Sequence, residues 1–202
     1  EWSIENNIDV INLSLGGVSP QSQCNEQCAC NEDIFHEVIC KAVIFYGITI
    51  VVAAGNSNAD VINFTPANYE EVITVSSLTD YDGLSGSIGI PDINCQINSD
   101  EDDTVAGYSN YGILVDIIAP GTCIQTSSLI NGQIVLSTGT SFAAPHVSAA
   151  AAIIIYKYNI DKNPTLVKEI LINTGSMLYK HYNTTTDSTK EPLLSIYNIL
   201  NS

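Results

Sequence analysis

The stretch Gly139–Thr140–Ser141–Phe142–Ala143–Ala144–Pro145–His146 sets a serine between a glycine turn and an alanine-rich helical run. Gly139 allows a tight backbone approach. The free N–H groups and positive dipole end of a helix N-terminus favour an oxyanion beside Ser141. Pro145 reads as a first-turn proline, tolerated because its missing N–H would be unpaired anyway. At this level a capping serine and an attacking serine look alike. A second segment, Ala53–Ala54–Gly55–Asn56, ends a nearly continuous apolar run at residues 48–53. Such a run reads as a central parallel strand buried on both faces, and its C-terminal end is where α/β sheets present ligands. The Asn56 amide there fits either a turn asparagine or a donor to a developing oxyanion.

Outward from these segments, short β-branched runs alternate with helical stretches, the pattern of a parallel α/β sheet. Strands are expected at residues 9–14, 48–53, 72–77 and 113–118. A hairpin is expected from residues 123–129 and 133–137 around Asn131–Gly132. A helix begins at Asp33, carries Ile34, Val38, Ile39, Ala42, Val43 and Tyr46 at helical spacing, and closes at Gly47. Further helices are expected after Ser141, from near Pro164 to Gly175, and over residues 193–200. Residues 80–104, rich in Gly, Asp, Asn and Ser, read as a surface insertion carrying Cys95. Within it, Asp100–Glu101–Asp102–Asp103 reads as an exposed loop, because a calcium loop spaces its ligands and adds a glycine.

A chain of 202 residues with 45% apolar residues suits one domain with a sizeable core. Its net charge of −16 comes from 22 acidic residues against six lysines and no arginine. That balance makes nucleic acid and anionic membrane surfaces poor partners. No apolar run approaches the roughly 18 residues of a membrane span. The six cysteines form an even set, and Cys24-x3-Cys28-x-Cys30 lacks the paired knuckles of a zinc site. Disulfides in an exported protein are the better reading, with the connectivity open. Asn63–Phe64–Thr65 and Asn183–Thr184–Thr185 match the short glycosylation sequon. The chain opens without Met, mid-pattern in what reads as a helix, and is expected to be a fragment or a processed chain.

Several blocks resemble the subtilisin-like serine peptidases in the family's own order. They are Asp9–Val10–Ile11–Asn12–Leu13–Ser14–Leu15–Gly16–Gly17; Val51–Val52–Ala53–Ala54–Gly55–Asn56; Pro66–Ala67 with Val72–Ile73–Thr74–Val75; Tyr108–Ser109–Asn110–Tyr111–Gly112; Ala119–Pro120–Gly121; and Gly139–Thr140–Ser141 with Ala144–Pro145–His146–Val147. The resemblance implies an α/β fold: a doubly wound, mostly parallel sheet with helices on both faces, its N-terminal part missing. Residues 1–202 would then form a single partial peptidase domain.

It also implies Ser141 as the nucleophile and Asn56 as the oxyanion-hole amide, partnered by the Ser141 N–H. Ser14, Leu15 and Gly16 match the strand that pairs with substrate backbone. Ala53, Ala54 and Gly55 match one wall of the pocket for the side chain before the scissile bond. Phe64 falls near the base of that pocket, where it would shorten it or simply pack. The family's Asp and its His–Gly–Thr/Ser block would precede residue 1. His36, His146 and His181 do not match the general base, and His146 lies about 140° round the helix from Ser141. The implied activity is a secreted serine endopeptidase acting on peptide or protein substrates through an acyl-enzyme at Ser141. The chain alone, without the upstream half of the domain, is expected to be inactive. No cofactor is required for the chemistry, and structural calcium, common in the family, is left without assigned residues. The rival reading is a non-catalytic pseudopeptidase or peptide-binding remnant that keeps the edge at residues 14–16.

Overall fold

The computed structural model describes residues 2–19, 22–30, 33–86, 89–95, 100–128, 132–177 and 191–202. In chain order its elements are α1 (Trp2–Glu5), β1 (Val10–Leu13), β2 (Gly17–Val18), α2 (Ile34–Ile44) and β3 (Thr49–Ala53). There follow β4 (Phe64–Thr65), β5 (Ile73–Thr79), β6 (Thr104–Val105), β7 (Ile117–Pro120), β8 (Ile124–Ser127) and β9 (Ile134–Ser137). Three helices close the described chain: α3 (Thr140–Tyr158), α4 (Pro164–Thr174) and α5 (Ile196–Asn201).

All five residues of β3 are buried, which requires cover on both faces of the sheet. Alternate side chains divide between two cores. Val51 and Ala53 turn towards α3 with Ile73, Val75 and Ile117, while Ile50 and Val52 turn towards Ile39 and Val43 of α2. β3 pairs in parallel with β1 and with β5, and β5 in parallel with β7, so the sheet is doubly wound as expected. The short β6 joins β5 antiparallel. Ala143, Ala144, Ala150 and Ala151 bring the α3 backbone close to the sheet, and Val147 and Ile154 fill the remaining space. Among the described strands, β1 has a partner on one side only, so its outer edge is open.

Several expected boundaries move for local reasons. Asp33 caps α2 rather than beginning it, its carboxylate accepting the His36 N–H. The helix ends at Ile44, and Gly47, at φ +63°, takes up the left-handed turn beyond it. Residues 113–116 are not strand: Val115 N–H turns back onto the Gly112 carbonyl, and regular pairing starts at Ile117. Leu193 bridges Ile118 in extended backbone, which postpones the last helix to Ile196, with Ser195 as its cap. The strands of the expected hairpin pair as β8 and β9, whereas Asn131 lies outside the described residues. Glu101 is exposed as expected, whereas Asp102 and Asp103 are 3% and 5% exposed, so the second half of this acidic run is buried. Their carboxylates accept backbone N–H groups of Tyr81 and Gly89, and of Gly86.

All six cysteines pair, as Cys24–Cys30, Cys28–Cys40 and Cys95–Cys123. The first two cross-link the loop ahead of α2 to itself and to the helix. Among the described residues no helix is long and apolar enough to cross a membrane.

Candidate active site

A cleft of about 440 Å³ opens at the C-terminal ends of β1 and β3 and reaches the N-terminus of α3. Ser14, Leu15 and Gly16, Ala53, Ala54, Gly55 and Asn56, Phe64 and Ser141 all line it. The structure thus brings all nine sequence-derived candidates to one place. β2 and β4 pair antiparallel, Val18 opposite Phe64, and this small ribbon brings Phe64 into the cleft lining.

Ser141 is the second residue of α3, so its N–H has no helical partner and points out of the helix end. Asn56 is held by Thr140. The Thr140 N–H and hydroxyl both donate to Asn56 Oδ1, each at 2.9 Å. The Thr140 hydroxyl oxygen accepts in turn from Gly55 N–H at 3.1 Å. With Oδ1 occupied twice, the amide nitrogen is the end left to face outward. Gly139 makes this approach feasible: it sits at φ +149°, and a Cβ there would come 3.2 Å from Asn56 Nδ2.

The buried Asn110 fixes the turn that carries Asn56. Its Oδ1 accepts the N–H groups of Ser57 and Ala59, and its Nδ2 donates to the Ala54 carbonyl at 2.8 Å. Neither Thr140 nor Asn110 was singled out as a site residue from sequence. A threonine beside Ser141, within the same motif, was the available signal for the first.

The two described histidines, His36 and His146, sit elsewhere. His146 is exposed, and its Nδ1–H donates back to the Phe142 carbonyl of its own helix at 2.8 Å. His181 lies outside the described residues. His36 is buried against Tyr69, the two rings stacked with centroids 3.7 Å apart. Its Nδ1 is 2.7 Å from Ser22 Oγ and its Nε2 is 3.1 Å from both Glu71 oxygens, which superficially matches a nucleophile, a base and an acid.

Proton counting excludes that role. Burial pushes the Asp33 carboxyl up, but hydrogen bonds from His36 N–H, Ser22 and Tyr69 outweigh it and hold it below its ordinary value. A carboxylate only accepts, so Ser22 gives its proton to Asp33 and receives one from His36 Nδ1. The nitrogen facing Ser22 thus donates to that hydroxyl and does not take its proton, while Nε2 faces Glu71.

Among the described residues, Asp80, Asp102 and Asp103 place carboxylate oxygens within 4.8 Å of one another. Burial, followed by the neighbouring charges of Asp102 and Asp103, pushes Asp80 up against opposing backbone hydrogen bonds. Backbone N–H groups occupy all three carboxylates, which accounts for the cluster as a loop anchor. The groupings of Cys24 with Cys30 and His36, or with Cys40 and Glu71, consist of disulfide sulfurs and offer no thiolate.

Comparison with known proteins identifies the frame. The family model described as the subtilase family matches residues 1–195. This chain belongs to the subtilase family. Subtilisin-like protease 6 of Arthroderma gypseum is 36% identical over 146 residues, 72% of this chain and 27% of that protein. Subtilisin amylosacchariticus of Bacillus subtilis subsp. amylosacchariticus is 35% identical over 181 residues, 88% of this chain and 38% of that protein. The solved structure of a cold adapted subtilisin-like serine proteinase superposes with a TM-score of 0.68 at 27% identity, covering 96% of this chain and 57% of the other. The subtilase chain therefore spans well under half the length of these two curated relatives.

Proposed function

We propose that this chain supplies the nucleophile and oxyanion hole of an extracellular serine endopeptidase. The observation that carries the reading is the Asn56 carboxamide, its oxygen held by both Thr140 donors, in the same cleft as Ser141 at the start of α3. In the proposed reaction a base contributed from upstream of residue 1 takes the Ser141 proton. Ser141 Oγ attacks the peptide carbonyl, and the oxyanion accepts from Asn56 Nδ2 and Ser141 N–H. The C–N bond then breaks, the amine leaves with the proton, and water hydrolyses the acyl-enzyme. Protein side chains suffice for these steps. Structural calcium is left without assigned residues.

The backbone at residues 14–16, between β1 and β2, would take the substrate as an added strand. Phe64, whose ring carbon Cδ1 would lie 3.9 Å from a Cβ on Gly55, would shorten the pocket for the side chain before the scissile bond. Substrates with Ala or Ser there are then favoured over Phe or Tyr. Pairing of all six cysteines supports an oxidising, extracellular setting. The substrates are peptides or proteins. Nucleic acid and membranes are not proposed partners, given the charge of −16.

The test is hydrolysis of a fluorogenic peptide set by the full-length protein. Cleavage should favour small side chains, shift towards bulky ones in Phe64→Ala, and vanish in Ser141→Ala. Undiminished cleavage by Ser141→Ala overturns the reading. The rival, a peptide-binding remnant, draws on the lack of any histidine in the described cleft lining. Tight peptide binding with no hydrolysis by the full-length protein would select it.

A further inference from the structure

Pro145 is not in the first turn of its helix, as its spacing from Ser141 suggested, but is the sixth residue of α3. An α-helix aims the N–H of residue 145 at the carbonyl four residues back, and proline has none to give. That carbonyl belongs to Ser141. The gap falls on the peptide unit that carries the proposed nucleophile.

A side chain from another element fills it. The Ser14 hydroxyl donates to the Ser141 carbonyl at 2.9 Å, across 127 residues of sequence. The Ser14 oxygen accepts from Asn12 Nδ2 at 2.9 Å, which orients its single proton towards α3. Asn12 is fixed at its other end, where Oδ1 accepts from Ser148 Oγ at 3.1 Å. Ser148 lies two turns further along α3 and also approaches the Ala144 carbonyl at 3.0 Å. The connection therefore runs from α3 to β1, on to the cleft edge, and back to the first turn of α3.

We propose that Ser14 is a positioning residue, its hydroxyl replacing the N–H that Pro145 lacks and so pinning the turn that presents Ser141. The inference rests on the reading of Ser141 as nucleophile. Ser14 would do this through its side chain, apart from any pairing of its backbone with substrate. A shift of this turn moves the Ser141 hydroxyl and the Ser141 N–H together, spoiling the line of attack and the oxyanion hole at once. Substrate binding along the cleft would be little affected.

The test is a double-mutant cycle in the full-length protein, with Ser14→Ala and Pro145→Ala singly and combined. Ser14→Ala is expected to lower kcat about five- to tenfold with KM within about twofold, the scale of one lost hydrogen bond acting on the chemical step. In the Pro145→Ala background the backbone again has an N–H for the Ser141 carbonyl. There the same substitution is expected to cost about twofold or less. Ser14→Thr, which keeps the hydroxyl, should retain most of kcat. Equal losses in both backgrounds, or a loss confined to KM, overturn the proposal. The cycle is also read by thermal unfolding, where Ser14→Ala should lower the midpoint more with proline at 145 than with alanine. If the wild type cleaves no peptide, the functional reading fails, and the unfolding cycle then decides: coupled shifts sustain the role of Ser14, additive shifts overturn it.

Discussion

A carboxamide at the end of a strand can turn either its oxygen or its nitrogen towards a cleft, and Thr140 decides which. Two donors on Asn56 Oδ1 leave the NH₂ group as the outward end. Thr140→Val removes one of those donors and the acceptor for Gly55 N–H, so the amide should lose its preferred orientation. In the full-length protein kcat is expected to fall about tenfold with KM little changed. Asn56→Ala should cost about 100- to 1000-fold, the magnitude known for the oxyanion-hole asparagine of a subtilisin, a member of this family. Steady-state kinetics on one peptide substrate check both, and a change confined to KM in either variant contradicts the assignment. Asn56 and Ser141 were legible in the sequence because each sits at a boundary between elements, where turn residues show. The Thr140 lock was harder to read, since it joins positions 84 residues apart.

The larger elements were legible from periodicity, because burial on both sides leaves a continuous apolar run such as β3, and a covered helix leaves spaced ones such as α2. What pins α2 was not. Asp33 caps the helix, and Ser22 and Tyr69 also donate to its carboxylate. Its folded-state pKa is lowered, so the folded protein holds that proton less tightly than the unfolded chain does. The stability Asp33 contributes is therefore complete above its unfolded value near pH 4 and is lost as pH falls through the lower folded value. Asp33→Asn should melt lower than wild type at neutral pH, with the difference shrinking in acid. A gap of constant size down to about pH 2 contradicts this account. Lys168 was equally hidden. Its ammonium meets Asp116 at 2.8 Å and the Val72 carbonyl at 2.8 Å, offsetting the burial that pushes the Asp116 carboxyl up. Only the fold brings those three together.

For the molecule as a whole, the doubly wound order could be anticipated, but not the disulfide pairing. Even cysteine counts permit several connectivities, and only the folding of the 22–30 loop onto α2 selects one. The open edge of β1 predicts behaviour in solution. The 202-residue chain alone should self-associate, and it should cleave no peptide, because the described cleft lining includes no histidine. Light scattering during a thermal melt checks the first expectation, and a monomeric, reversible transition contradicts it. The central claim, that Ser141 is the nucleophile, is tested most directly in the full-length protein by reaction with a fluorophosphonate followed by peptide mass mapping. The account predicts a single adduct on Ser141 that is lost in Ser141→Ala. An adduct on any other serine, or none on the folded full-length protein, would contradict it.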